Sequence, residues 1–191
     1  GAKKHINLNV EKSLWSEILI PLVQSGALYQ NKYPALCSDR YLIVKESIKL
    51  CKKLNTNNVA HGCTGMGNDQ IRFDLSIRAH GKYNIITPIR EIQNITKNVR
   101  AYEEDYLRDK GFKVSSLNKK YSINENLMGA TISGSEIDEW KEPSSESFVL
   151  CKLPHQYPKK SKTLKIKFLK GKVISINDKK MQGADFLKKL N

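Results

Sequence analysis

The stretch Ala60-His61-Gly62-Cys63-Thr64-Gly65-Met66-Gly67-Asn68-Asp69-Gln70-Ile71-Arg72-Phe73 decides how the rest of this chain is read. It leaves the apolar approach Asn58-Val59-Ala60 and runs into the periodic segment Gln70 to Leu75, so its glycines bridge a strand and a helix. A connection of that kind places backbone N–H groups and a helix N-terminus where an anion can meet them. Thr64, Asn68 and Asp69 add a hydroxyl, an amide and a carboxylate to the same turn, and Arg72 follows three residues after Asp69. The set suits both ends of an α-amino acid. Taken alone, the loop leaves another reading open: a plain strand-to-helix turn in which glycines supply unusual backbone angles and Asn or Asp caps the helix. Neither G-x-x-x-x-G-K-[ST] nor the dinucleotide fingerprint matches the spacing.

Outward from the loop, the periodicities predict a strand over Lys4 to Asn9 and an amphipathic helix over Val10 to Gln24 with Leu14, Trp15, Ile18 and Leu22 on one face, bent or ended by Pro21. A second helix follows over Arg40 to Lys53, then the strand before His61. Beyond the loop come a helix from Asp69 to about Ala79, a strand over Tyr83 to Pro88, and a helix from about Thr96 to Lys110 closed by Gly111. Strands alternating with helical crossovers indicate an α/β fold with a parallel sheet, whose ligands bind beyond the carboxyl ends of the strands. After Gly111 the composition shifts to Ser, Asn, Lys and Glu. Phe148 to Leu153, Thr163 to Leu169 and Val173 to Asn177 then read as strands, the last two forming a hairpin across Lys170-Gly171-Lys172. The second region is therefore α+β, and the expected division is 1–112 and 113–191.

With 191 residues, 39% of them hydrophobic, the chain can build a core. No stretch approaches the roughly 18 apolar residues of a membrane helix. Cys37, Cys51, Cys63 and Cys151 never form C-x-x-C, which suggests neither a zinc knuckle nor a disulfide framework and fits a reduced, cytoplasmic chain. Cys63 at a helix N-terminus could carry a lowered thiol pKa or serve simply as a small packing residue. The net charge of +14 comes from lysines scattered in pairs over every segment, without an Arg-rich or aromatic stripe, so it reads as a solvated surface that favours anionic substrates and not as a nucleic-acid interface.

The order of segments resembles argininosuccinate synthase. The matching stretches are S-G-A-L-Y-Q-N-K-Y-P-A (Ser25 to Ala35), V-A-H-G-C-T-G-M-G-N-D-Q-I-R-F-D-L (Val59 to Leu75), I-I-T-P-I-R-E (Ile85 to Glu91), Y-S-I-N-E-N-L-M-G-A-T (Tyr121 to Thr131) and the hairpin ending K-G-K-V-I-S-I-N. The resemblance implies a nucleotide-binding domain of the adenine nucleotide alpha hydrolase type over 1–112, lacking its first strand and pyrophosphate loop, followed by part of a synthetase and multimerisation domain over 113–191. It implies ATP-dependent ligation of L-citrulline and L-aspartate through a citrullyl-adenylate, with Mg²⁺ held mainly by ATP phosphates. The oligomer it implies is a homotetramer.

Carried over by position, the resemblance assigns Thr64, Asn68 and Asp69 to aspartate. It assigns Tyr33, Ser38, Asn68, Arg72, Ser122 and Thr131 to citrulline, with Cys37 the rival of Ser38, and lays Gly62 and Gly65 against ATP. No residue is assigned as a general acid or base, as befits a ligase that works by positioning and charge stabilisation. The sequence departs from the family at Met66, where a lysine is usual, and at Ile89, where a Trp is common. It contains no S-G-G-x-D-x-S pyrophosphate loop and none of the later citrulline-binding Glu and Tyr positions, so these residues alone are expected not to turn over. The alternatives are an RNA-modifying relative using Cys63 or Cys37 for sulfur chemistry, and a non-catalytic remnant.

Overall fold

The computed structural model describes residues 2–28, 30–32, 36–114, 120–181 and 183–190. In chain order they form α1 (Glu11–Ser13), a π-helical segment (Leu14–Leu19), α2 (Ile20–Ser25), a 3-10 turn (Leu36–Ser38), α3 (Asp39–Lys53), β1 (Asn58–Ala60), α4 (Asn68–Ala79), β2 (Asn84–Ile86), α5 (Pro88–Ile95) and α6 (Val99–Asp109). There follow β3 (Ser122–Asn126), β4 (Gly129–Ser133), three further 3-10 turns, β5 (Ile166–Leu169), β6 (Lys172–Ile176), β7 (Lys179–Lys180) and α7 (Ala184–Leu190). Two compact units divide them, one spanning Arg40–Asn118 and the other formed from residues 1–39 with 119–191.

In the 40–118 unit, β1 and β2 pair in parallel, with Val59 opposite Ile85, and α4 makes the crossover between them. This is the α/β architecture expected from the alternation of strands and helices. Its core forms where one face of α3 (Val44, Ile48) meets Ile77 of α4, with Val59, Phe73, Tyr83 and Ile85 packed around them. Two departures from the sequence reading lie here. Pro88 does not end a strand; it opens α5 at a first-turn position, where its missing N–H costs nothing. The helix expected from Thr96 begins at Val99 because Asn98 caps it, its side chain accepting from Ala101 N at 3.2 Å. Gly111 closes that helix at φ +80°, with Phe112 N donating back to Leu107 O.

In the other unit, Lys4 to Asn9 forms no strand; no strand among the described residues pairs with it. The first helix does not stop at Pro21. It runs on to Ser25 and ends at Gly26 in the left-handed region. The turn ahead of Pro21 widens instead: Ile20 N donates to Trp15 O, five residues back, which eases the clash between a proline ring and the preceding carbonyls. Ser122–Asn126 and Gly129–Ser133 pair antiparallel, a hairpin the polar composition concealed. β5 and β6 form the expected hairpin, shortened to Ile166–Leu169 and Lys172–Ile176; Lys170 and Gly171 both have positive φ, as its two-residue turn requires. Phe148 to Leu153 is not a strand. Ser145–Ser147 makes a 3-10 turn before it, and Phe148, Val149 and Leu150 stay exposed without a neighbouring strand. The buried residues of this unit include Leu19, Tyr121, Ile176, Ala184 and Phe186.

Candidate functional site

The loop of residues 61–67 leaves the carboxyl end of β1 and enters α4, with Gly67 as the N-cap residue. Gly62, Gly65 and Gly67 all keep ordinary φ values, so the loop does not use glycine for left-handed backbone. What glycine supplies is open space. A Cβ at Gly62 would meet only Ile89 at 3.9 Å, and one at Gly67 only the Thr64 hydroxyl at 3.8 Å. Nor do Asn68 and Asp69 cap the helix: both lie in its first turn, and no side chain caps its N-terminus. The plain-turn reading therefore loses both of its physical reasons.

Asp69 sits where α3 and α4 start. Arg72, one turn along α4, donates to its Oδ1 at 2.8 Å, and Arg40, from the first turn of α3, approaches its Oδ2 at 3.3 Å. Arg40 is the more buried guanidinium, 14% exposed, while Asp69 keeps 31%. Two cations thus fix one carboxylate, and its exposed side keeps lone pairs able to accept a further donor. Thr64 and Asn68 are exposed beside it, and Met66 is 90% exposed.

Below the loop lies a second polar group. His61 Nδ1 accepts from Cys63 N at 3.3 Å, which puts the ring proton on Nε2, 2.9 Å from Asp74 Oδ1. Arg90 of α5 binds the same carboxylate with both terminal nitrogens, at 3.0 and 3.1 Å. Burial works to raise the Asp74 carboxyl, but hydrogen bonds from Arg90 and then His61 outweigh it and hold it below its ordinary value. Burial, and next the negative charge of Asp69, push the Cys63 thiol up. The same environment favours the neutral thiol of Cys63 and gives it no thiolate activation.

Of the other assigned residues, Ser38, Ser122 and Thr131 belong to the second unit, and Tyr33 lies outside the described residues. The β3–β4 register sets Ser122 opposite Ser133 and Asn124 opposite Thr131, so Ser122 and Thr131 are diagonal neighbours on one polar face. Ser38 is buried, and its hydroxyl has no hydrogen-bond partner among the described residues; Cys37 beside it is half-buried. The start of β3 is anchored by Tyr121, whose buried hydroxyl donates to Glu136, while Ser144 N donates to the same carboxylate at 2.8 Å and Lys120 approaches it at 3.3 Å. The Tyr121 hydroxyl, with those of Ser135 and the Ser144 amide, holds Glu136 well below the usual carboxylate range.

With this geometry in view, two sequence comparisons decide the family. A sequence model described as "Arginosuccinate synthase N-terminal HUP domain" matches residues 1–112, and one described as "Arginosuccinate synthase C-terminal domain" matches residues 121–191. The chain belongs to the argininosuccinate synthase family. It is 44% identical over its whole length to an argininosuccinate synthase of Xanthomonas campestris, covering 48% of that protein. Likewise it is 36% identical to one of Trichodesmium erythraeum and 33% identical to one of Methanocaldococcus jannaschii, again covering 48% of each. The chain spans about half the length of the curated relatives it matches. The glycine loop lies inside the residues matched by the HUP domain, at the carboxyl end of β1. Sequence reasoning missed Arg40, Gln70, Asp74 and Gln93 as site residues; only their meeting in space marks them.

Among the described residues, no group of three or more His, Cys, Asp and Glu could hold a metal ion, and no helix is long and apolar enough to cross a membrane.

Proposed function

We propose that the protein carrying this chain joins L-citrulline to L-aspartate at the expense of ATP, yielding argininosuccinate, AMP and pyrophosphate. The observation that carries this reading is Asp69, a half-exposed carboxylate held by Arg40 and Arg72 at the end of a glycine-rich loop. Asp69 accepts from the aspartate ammonium, and the Thr64 hydroxyl donates to its carboxylate. Asn68, which both donates and accepts, stands between aspartate and citrulline. Arg72 turns its fork to citrulline, and Ser38, Ser122 and Thr131, with Tyr33, supply further citrulline contacts. Gly62 and Gly65 lie against ATP; at Gly62 the missing side chain leaves room for close approach, whereas the space beside Gly65 is taken by Gln93.

In the first step the ureido oxygen forms a bond to the α-phosphorus as the bond to pyrophosphate breaks. In the second the aspartate amine attacks the ureido carbon, losing a proton, and AMP leaves. These residues position and polarise; none is placed as a general base. Mg²⁺ would accompany ATP, held mainly by its phosphate oxygens, and would supply charge neutralisation there. A cytoplasmic homotetramer in arginine biosynthesis is the setting this reading implies.

Pyrophosphate release that requires both amino acids tests the reading. The 191 residues alone are expected to give none, and the complete natural polypeptide is expected to give it. Asp69→Ala in that polypeptide should raise the aspartate KM or abolish coupling. Unchanged aspartate kinetics would remove the assignment of the loop.

A further inference from the structure

Gly65 is held on both sides by glutamines that the reaction does not use. Its N–H donates to Gln93 Oε1 at 2.7 Å, and its carbonyl accepts from Gln70 Nε2 at 2.7 Å. Gln70 belongs to the first turn of α4 and Gln93 to α5, so the tip of the loop is tied to the two helices that flank it. Gln93 itself is aimed by the helix it stands on. Arg90, three residues earlier and therefore on the same face, is locked to Asp74, which in turn holds His61 at the base of the loop. A Cβ on Gly65 would press Gln93 Oε1 at 3.3 Å and touch the Arg90 Cγ at 3.9 Å, so this contact also accounts for the glycine. A phosphate-cradling loop works by turning successive backbone N–H groups toward the anion. Here the Gly65 N–H already carries a neutral side-chain acceptor, as the Cys63 N–H carries the His61 ring nitrogen.

We propose that Gln93 is a specificity-determining residue of this loop: by taking the Gly65 N–H it removes a backbone donor from the row, and so weakens the loop for phosphate while leaving Thr64, Asn68 and Asp69 to an amino acid. The proposal deepens the reading of the loop as an aspartate site and rests on it only for the identity of the amino acid. In that picture Gly65 lies near the nucleotide with both its amide and the space of its missing side chain taken up by Gln93.

The test uses the ¹⁵N-labelled 191-residue chain, titrated separately with L-aspartate, inorganic phosphate and ATP, with the Gly65, Asn68 and Asp69 amides and the Gln93 side-chain amide followed by NMR. In the wild type, aspartate is expected to move Asn68 and Asp69 and leave Gly65 in place, and phosphate to move none of them. Gln93→Ala frees the Gly65 amide. Its hydrogen exchange should rise roughly five- to tenfold, the loss of one net hydrogen bond, and phosphate should now shift it. Gln93→Glu keeps an acceptor against Gly65, so slow exchange returns and phosphate should again shift nothing, while its charge should lower aspartate affinity. A merely structural role would not separate those two readouts.

The proposal is overturned if phosphate or ATP shifts the Gly65 amide in the wild type while displacing Gln93, or if phosphate binds the wild type and Gln93→Ala equally. If aspartate moves nothing in the wild type, the aspartate assignment falls, and the phosphate comparison still decides the role of Gln93.

Discussion

Asp74→Ala should destabilise the 40–118 unit strongly, and the geometry sets the size of the effect. The carboxylate receives three hydrogen bonds, one from His61 and two from Arg90, at 2.9 to 3.1 Å. Its partners are 7% and 28% exposed, so removing it leaves an imidazole with no access to water and a guanidinium with little. Breaking a buried ion pair from one side costs about 3–5 kcal/mol. Arg90 can recover part of its hydration, which lowers the expectation to about 2–4 kcal/mol. With a urea m-value of about 2 kcal/mol/M, the midpoint should fall by about 1–2 M. Both tryptophans, Trp15 and Trp140, lie in the other unit, so the readout should be the methyl signals of Ile77, whose side chain is wholly buried in the core of this one.

Two further measurements separate the pair from simple loss of packing. In the cycle with Arg90→Ala, the double variant should recover at least about 1 kcal/mol of the summed losses, because each single change strands a charge that the double change removes. Asp74 titrates below its ordinary value of 3.8, so its contribution is complete above that pH and is lost as pH falls through the lower folded value. The gap between wild type and Asp74→Asn should therefore hold steady above about pH 5 and narrow in acid. A midpoint for Asp74→Ala within experimental error of the wild type, or an additive cycle, would refute the claim that this network holds the base of the loop.

Ile77→Ala, at the fully buried centre of the α3–α4 contact, should cost about 2–5 kcal/mol, read from amide exchange along α3 because the Ile77 methyl probe is lost with the side chain. Iodoacetamide at neutral pH should modify the exposed Cys151 well before Cys63, whose thiol is pushed up by burial and by Asp69; mass-mapped alkylation of Cys63 first would contradict the electrostatics of the loop.

The parallel β1–α4–β2 unit was legible because two periodicities meet at the glycine loop: apolar Val59 on the strand side, then Phe73 and Ile77 at helical spacing. The β3–β4 hairpin was not, because Ser122, Asn124 and Asn126 carry no apolar alternation; their face is polar, and strand reading depends on a buried side. Phe148 to Leu153 failed in the opposite sense. Its apolar run is what a strand needs, but a strand also needs a neighbour, and none of the described strands lies along it. Pro88 reads as the end of the strand because the apolar run Ile85-Ile86 leads up to it, although its fixed φ and missing N–H suit the first turn of a helix equally well.

The same distinction governs the site. Thr64, Asn68, Asp69 and Arg72 fall within nine residues of one another, so sequence alone could group them, whereas Arg40, Asp74, Arg90 and Gln93 reach the loop from three different helices. Side chains that face a ligand cluster on a loop because the loop must wrap it. Those that hold the loop in shape must come from elsewhere, since a loop cannot brace itself against its own backbone. Arg40 on Asp69 and Gln93 on Gly65 are two cases: each takes up a group that would otherwise be free to turn, one a carboxylate and the other an amide. What the loop can bind is set as much by these occupied groups as by those left open. A change at Arg40 or Gln93 should therefore alter ligand choice without touching a residue that contacts the ligand.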